Sequence, residues 1–195
     1  MYIPRIKKKY KEKIIYKLKK LIKYKNIMQV PKLIKIVINI GISDTIKNKN
    51  LINYYIKNLE LISGQKSIYR LSKKDISGFK LRKGIPIGCM VTLRNNIMYE
   101  FLDRLITIAL PRSKDFNGIK ETSFDGFGNY NLGIKEHIIF PEINFDKVNK
   151  IHGLNITFVT NTNKDLDSKF LLMYLGLPFK KNNIYGKNFN KSKTN

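Results

Sequence analysis

The sequence predicts an α+β domain in which an antiparallel or mixed sheet carries helices packed on one face. Three observations carry that expectation. Strand-like and helix-like segments interleave along the chain, the strands mostly alternate in polarity, and the helical segments repeat their apolar residues at spacings of three and four. The 195 residues suit one domain with extensions, and a hydrophobic share of 43% is enough to close a core.

Residues 5–25 hold eleven basic residues and one acid, Glu12, with Tyr10, Ile14, Leu18, Leu21 and Ile22 at helical spacing. This predicts a basic amphipathic helix. Its narrow stripe has no Trp or Phe anchor, which favours packing on RNA or on the domain over a membrane surface. After the break at Val30-Pro31, the run Ile34–Ile40 is the clearest strand. Ile34, Ile36, Ile38 and Ile40 fall on one face, expected in the core, and Lys35, Val37 and Asn39 on the other. A helix is expected over 51–63, with Ile52, Tyr55, Ile56, Leu59 and Ile62 on one side and Gly64 as its stop.

Residues 72–88 are rich in Lys, Arg and Gly without regular period, which predicts a long basic loop. A second strand follows, with Cys89, Val91 and Leu93 pointing one way and Met90, Thr92 and Arg94 the other. Asn95-Asn96 is expected to cap a helix over 97–110, ended by Pro111. Residues 112–136 are turn-rich, short strands are expected at 137–141 and 154–160, and Thr162 with Asp165 suggests a capping box for a last helix reaching Leu175-Gly176. Residues 180–195 contain five lysines and no acid, which predicts a disordered basic tail. The expected organisation is a basic amino-terminal helix at 1–30, one α+β RNA-binding domain at 31–181 and a tail at 182–195.

Lys and Arg total 38 against 14 Asp and Glu, a formal net charge of +24. Self-repulsion on that scale calls for a polyanion, and its spread along the chain favours nucleic acid that embeds the protein. One cysteine, Cys89, excludes an internal disulfide and a Cys-rich zinc site. No apolar run approaches a membrane span, and the start of the chain lacks the apolar stretch of a secretory signal.

Catalytic chemistry is hard to assemble from these residues. His137 and His152 lack ligand spacing and are expected at the surface or a strand edge. Gly126-Phe127-Gly128 follows no clear strand and is not succeeded by Gly-Lys-Ser/Thr, so a turn is expected rather than a phosphate loop. Asp165, Asp167, Glu136 and Glu142 read as surface or capping acids, and Asn155-Ile156-Thr157 as a chance match to a glycosylation site. No cofactor, no metal and no enzymatic activity is expected.

A set of ordered motifs is more specific. Met28-Gln29-Val30-Pro31, Ile38-Asn39-Ile40-Gly41, Ile62-Ser63-Gly64-Gln65-Lys66, Gly78-Phe79-Lys80-Leu81-Arg82-Lys83-Gly84, Pro86-Ile87-Gly88-Cys89 and Val91-Thr92-Leu93-Arg94 come first. Arg104-Leu105-Ile106-Thr107, Pro111-Arg112, Asp115-Phe116, Ser123-Phe124-Asp125-Gly126, Gly128-Asn129-Tyr130, Phe140-Pro141-Glu142-Ile143 and Leu177-Pro178-Phe179-Lys180 follow. Over roughly residues 10–181 the chain resembles the bacterial-type ribosomal protein L-five family of the large subunit, whose members bind 5S rRNA.

The resemblance implies a mainly antiparallel sheet with helices on one face, the other face open for RNA, long basic loops, and a place in the central protuberance. It implies 5S rRNA contacts at Asn39, Gln65 and Thr92, and the alternation adds Lys35 and Arg94 on the same strand faces. It further implies that the loop at about 76–88 touches peptidyl-site tRNA through Gly78, Phe79, Lys80, Arg82, Lys83 and Gly84. Arg112, Asp115, Phe116, Asp125, Gly126 and Asn129 would form a bridge to a protein of the small-subunit head. Expected partners are therefore 5S rRNA, large-subunit rRNA, peptidyl-site tRNA, the small-subunit head protein and other central-protuberance proteins, with no membrane. The expected location is a cytoplasmic ribosome, or an organellar one if the gene is organelle-encoded.

Three departures from the family pattern stand out. Asn95 replaces a usual glycine, and Asn tolerates left-handed backbone geometry. Phe127 stands where the family tends to be polar or basic, and residues 182–195 run past the family's usual end. Two other functions fit composition alone: a promiscuous nucleic-acid chaperone, and a membrane-surface protein using residues 5–25. Uniform affinity for any RNA marks the first, and binding to anionic vesicles that survives RNA competition marks the second.

Overall fold

The computed structural model of the protein describes residues 2–42, 49–114, 116–145, 148 and 150–180. Asp115 and the tail at 182–195 lie outside the described residues. Five strands, β1 (Leu33–Gly41), β2 (Ile68–Leu71), β3 (Pro86–Leu93), β4 (Tyr130–Ile134) and β5 (Leu154–Thr160), form one sheet in the order β2-β3-β1-β5-β4. Every neighbouring pair is antiparallel. Helices α1 (Arg5–Lys9), α2 (Ile15–Ile22), α3 (Lys49–Ser63), α4 (Asn95–Arg104) and α5 (Asp165–Leu175) accompany it. The result is the expected α+β class, with one sheet face buried and the other left to solvent, an arrangement that antiparallel sheets tolerate.

Strand polarity decides which face is which. Ile36, Ile38 and Ile40 of β1, Cys89, Val91 and Leu93 of β3, and Ile156 and Phe158 of β5 are all buried against the helices. Burying each aliphatic side chain is worth about 1.5–3 kcal/mol, so a slip of one residue that reversed the faces would be very costly. The alternation fails at one expected place. Ile34 is 40% exposed and Leu33 is buried instead. Leu33 faces Thr160 while Lys35 faces Val159, so Ile34 is the extra residue of a β-bulge and leaves the inner face.

The amino-terminal helix runs from Arg5 to Ile22, with a π-helical turn at Tyr10–Ile14 between α1 and α2, and stops where Lys23 turns left-handed at φ 61°. Ile6, Tyr10, Ile14 and Leu18 are buried in the common core, but Leu21, expected in the same stripe, is 47% exposed. A π turn needs more residues per revolution than an α-helix, so it keeps the i, i+4 series Ile6, Tyr10 and Ile14 in line, while Leu21 lies beyond it in the last α-helical turn. The Tyr10 hydroxyl donates to the Pro31 carbonyl at 2.8 Å. The Arg5 guanidinium donates to both Asp103 carboxylate oxygens on α4, at 3.1 and 2.6 Å.

Other expectations are corrected. β2 and β4 were not foreseen: all four β2 side chains are exposed, so that strand has no polarity pattern to find. His137–Ile139 is a short 3-10 turn rather than a strand. Gly88 belongs to β3 rather than to the basic loop, and a Cβ there would meet the Ile40 carbonyl oxygen at 2.5 Å. Helix α4 starts at Asn95, earlier than expected and without a side-chain cap. Asn95 has φ 51°, the left-handed geometry anticipated for it. The Asn96 carboxamide instead accepts from Lys7 Nζ at 2.5 Å, helping to fasten α1 to α4. Nor does Asp165 close a capping box, because its carboxylate accepts from the amides of Gly126 and Gly128.

His137 and His152 are also misplaced by sequence reasoning. His137 is fully buried, and the two rings stack with centroids 3.7 Å apart. The His137 amide donates to the His152 carbonyl at 3.0 Å, and the His152 amide donates back to His137 Nδ1 at 3.4 Å. Fifteen residues of separation hid this clasp, which only the fold brings together.

Candidate nucleic-acid interface

On the open face, register aligns the outward side chains in rows across the sheet. Asn39 lies opposite Met90 on β3 and Asn155 on β5, and Met90 lies opposite Ile68 on β2. The next row runs Thr92, Val37, Thr157, Asn131. Asn39 and Thr92 are therefore diagonal neighbours on adjacent strands, close enough to meet one ligand. Asn39 is exposed, while Thr92 and Lys35 are half-buried. Lys35 and Arg94 stand just beyond Ile36 and Leu93, the last pair of the β1–β3 ladder at that end, and Arg94 is exposed.

Gln65 reaches this surface from behind. Helix α3 ends at Ser63, Gly64 takes φ 70°, and the chain turns so that Gln65 Nε2 donates to the Thr92 carbonyl at 3.1 Å. The Ser63 hydroxyl fixes the turn, accepting from the Gln65 amide at 3.2 Å. Three of the expected contact residues are thus brought together by β1, β3 and the end of α3. Sequence reasoning missed Asn131, Asn155 and Thr157 of the same face, of which Thr157 Oγ1 donates to Asn131 Oδ1 at 2.7 Å. The alternation of 154–160 held the signal for two of them; Asn131 lay in an unrecognised strand.

The face is chemically suited to nucleic acid rather than to catalysis. It offers amides and hydroxyls on a rigid platform, with Lys35, Arg70 and Arg94 toward its margins, so polar recognition needs no buried charge. Cys89 sits under it, fully buried, and burial pushes its thiol up to about 12, so it is no nucleophile. Among the described residues no group of three or more His, Cys, Asp and Glu side chains could hold a metal. No described helix is long and apolar enough to cross a membrane.

The basic loop forms a folded arm beyond β2. Ile76 and Leu81 exchange backbone hydrogen bonds at 3.0 and 3.1 Å around a 3-10 turn at Ser77–Phe79, and Asp75 accepts from the Lys83 amide at 2.6 Å. The left-handed residue at its tip is Lys80, with φ 52°. Phe79 is 71% exposed, and Gly78, Lys80, Arg82, Lys83 and Gly84 are exposed with it. The exposed side of the amino-terminal helix adds Lys8, Lys9, Lys11, Lys13, Lys17 and Lys20, since its apolar stripe is spent on the core.

The expected bridge residues separate into two groups. Arg112 is exposed, and Phe116 is half-buried against the core. Asp125, Gly126 and Asn129 share one turn, in which Asp125 accepts from Asn129 Nδ2 at 2.7 Å and from the Phe127 and Asn129 amides. Desolvation acts to raise the Asp125 pKa, but these hydrogen bonds outweigh it and hold the carboxyl below its ordinary range.

Comparison with known proteins supplies the family. Residues 26–82 match the family model described as ribosomal protein L5, and residues 86–179 match the model of that ribosomal family's C-terminus. The chain is 59% identical over 181 residues to the large ribosomal subunit protein uL5 of Flavobacterium johnsoniae, covering 93% of this chain and 99% of the relative. It is 60% identical to the protein of that name from Karelsulcia muelleri, covering 92% of this chain and 96% of the relative. For the Geobacter sulfurreducens protein the identity is 53%, covering 90% and 98%.

Proposed function

The chain belongs to the ribosomal protein L5 family, a structural and non-enzymatic component of the large ribosomal subunit, and on that premise we propose that it binds 5S rRNA through its open sheet face. In this reading Asn39, Thr92 and Gln65 form the centre of the contact, with Lys35 and Arg94 drawing phosphate to its margin. The observation that carries it is the juxtaposition of Asn39 and Thr92 on the solvated face, with Gln65 hydrogen-bonded to Thr92 from the side. Short polar groups on a rigid surface discriminate RNA structure, whereas the dispersed lysines contribute a salt-dependent term.

The same proposal assigns the arm at 72–85 to peptidyl-site tRNA, with Phe79 stacking and Lys80, Arg82 and Lys83 meeting phosphates. It assigns Arg112, Asp115, Phe116 and the turn of Asp125, Gly126 and Asn129 to the small-subunit head. The lysines of the amino-terminal helix would face large-subunit rRNA. Recovery of RNA bound to the tagged chain, followed by sequencing, tests the central assignment. Enrichment of 5S rRNA is expected, and equal recovery of all cellular RNA would fit a promiscuous chaperone instead.

A further inference from the structure

The turn before β4 is held unusually firmly for a loop. Asp125 Oδ1 accepts from the amides of Phe127 and Asn129 at 2.9 and 3.0 Å. From the other side Asp165 accepts from the amides of Gly126 and Gly128 at 3.2 and 2.8 Å. Gly128 has φ 78°, and a Cβ on it would lie 2.0 Å from the Thr162 carbonyl oxygen, so the turn is pressed against the start of α5. The Gly128 carbonyl in turn accepts from Thr160 Oγ1 at 2.8 Å. Every backbone N–H from Gly126 to Asn129 thus has a carboxylate partner. The ring on this fixed backbone, Phe127, is 71% exposed.

A large apolar ring on a rigid mount is suited to binding, because little backbone entropy remains to be lost on association. The surroundings select the partner. In a chain of net charge +24, the two side chains that accept from this turn's amides are both acids, Asp125 and Asp165, with Lys164 alongside in sequence. Two carboxylates within a Debye length of about 8 Å oppose the approach of phosphate and favour a cationic surface. We propose that Phe127 is an anchor that seats in an apolar pocket of a protein whose pocket rim carries lysine or arginine. This rests on, and sharpens, the assignment of the turn to the small-subunit head: it adds the ring as the contact and states the partner's chemistry.

The test uses ribosomes carrying the full chain with photoreactive p-benzoylphenylalanine at position 127, and in parallel at Asn117, an exposed position of the same stretch. Cross-linked peptides or nucleotides are identified by mass spectrometry. A cross-link from position 127 to a Lys/Arg-bearing peptide of a small-subunit protein is expected. The same kind of peptide from a large-subunit protein would keep the anchor and remove the bridge assignment. A cross-link to RNA, to a peptide without basic residues, or to nothing in particles that contain the protein would overturn the anchor, while position 117 then reports separately on the bridge. Phe127→Ala, at a surface site, should also weaken association with purified small subunits by about tenfold, and Phe127→Tyr should retain it. Association of Phe127→Ala at the wild-type level would likewise overturn the anchor.

Discussion

Gln65 Nε2 donates to the main-chain carbonyl of Thr92 at 3.1 Å, tying the end of α3 to a strand that presents the proposed RNA face. The bond uses one of the two Nε2–H groups of the carboxamide, and Oε1 remains available to a ligand. Gln65→Ala removes both, while Gln65→Glu replaces the donor with a carboxylate that repels the Thr92 carbonyl and phosphate alike. Either change should cost about 0.5–1.5 kcal/mol of folding stability, measured as the shift in urea midpoint. The loss in 5S rRNA affinity should be larger for Glu than for Ala. Equal losses for the two would mean that Gln65 acts only as a brace.

The stacked histidines make stability depend on pH. Burial lowers the pKa of His137 below its ordinary 6.5, and burial together with His137 pushes His152 down to about 4. The His152 ring faces the Tyr55 ring edge-on at 4.4 Å and lies 3.4 Å from the Lys150 carbonyl through Nδ1. As pH falls below 6.5 the unfolded chain takes up protons that the folded chain refuses. The stabilisation is therefore complete above pH 6.5 and lost progressively toward pH 4. Urea midpoints should drop between neutral pH and about pH 5, and His152→Phe should flatten part of that drop. An equal pH dependence in the variant would show that carboxylates alone cause it.

The arm offers a test that is independent of the sheet. Lys80→Glu with Arg82→Glu reverses charge at two exposed positions of the loop between β2 and β3, outside the strands that carry Asn39 and Thr92, so 5S rRNA binding should persist. Dissociation of peptidyl-site tRNA from ribosomes carrying the double variant should accelerate by about tenfold, and frameshifting should rise. A wild-type off-rate, with the variant confirmed in the particle, would exclude a tRNA role for this arm.

Elements with one strong polarity pattern were legible in the sequence. β1 and β5 alternate because one face is buried, and α3 shows its stripe because it packs on the sheet. What escaped was set by pairing rather than pattern. The edge strand β2 has no buried side chain, the bulge at Ile34 exists only relative to β5, and the histidine clasp joins residues distant in sequence. At the candidate site, Asn39 and Thr92 could be assigned to outward faces from alternation alone. That Gln65 spends its amide nitrogen on Thr92, and that Asp165 braces the turn at 126–128, required the fold.

The central claim concerns the open face, and the most direct measurement is the affinity of the Asn39→Ala/Thr92→Ala double variant for 5S rRNA. Asn39 is exposed and the Thr92 side chain is half-exposed, so neither truncation opens a cavity and the urea midpoint should stay near wild type. Loss of two hydrogen bonds, at about 0.5–1.5 kcal/mol each, predicts a dissociation constant raised by about fivefold to 150-fold. The salt dependence should change little, because neither side chain is charged. An unchanged dissociation constant in the folded double variant would contradict the account.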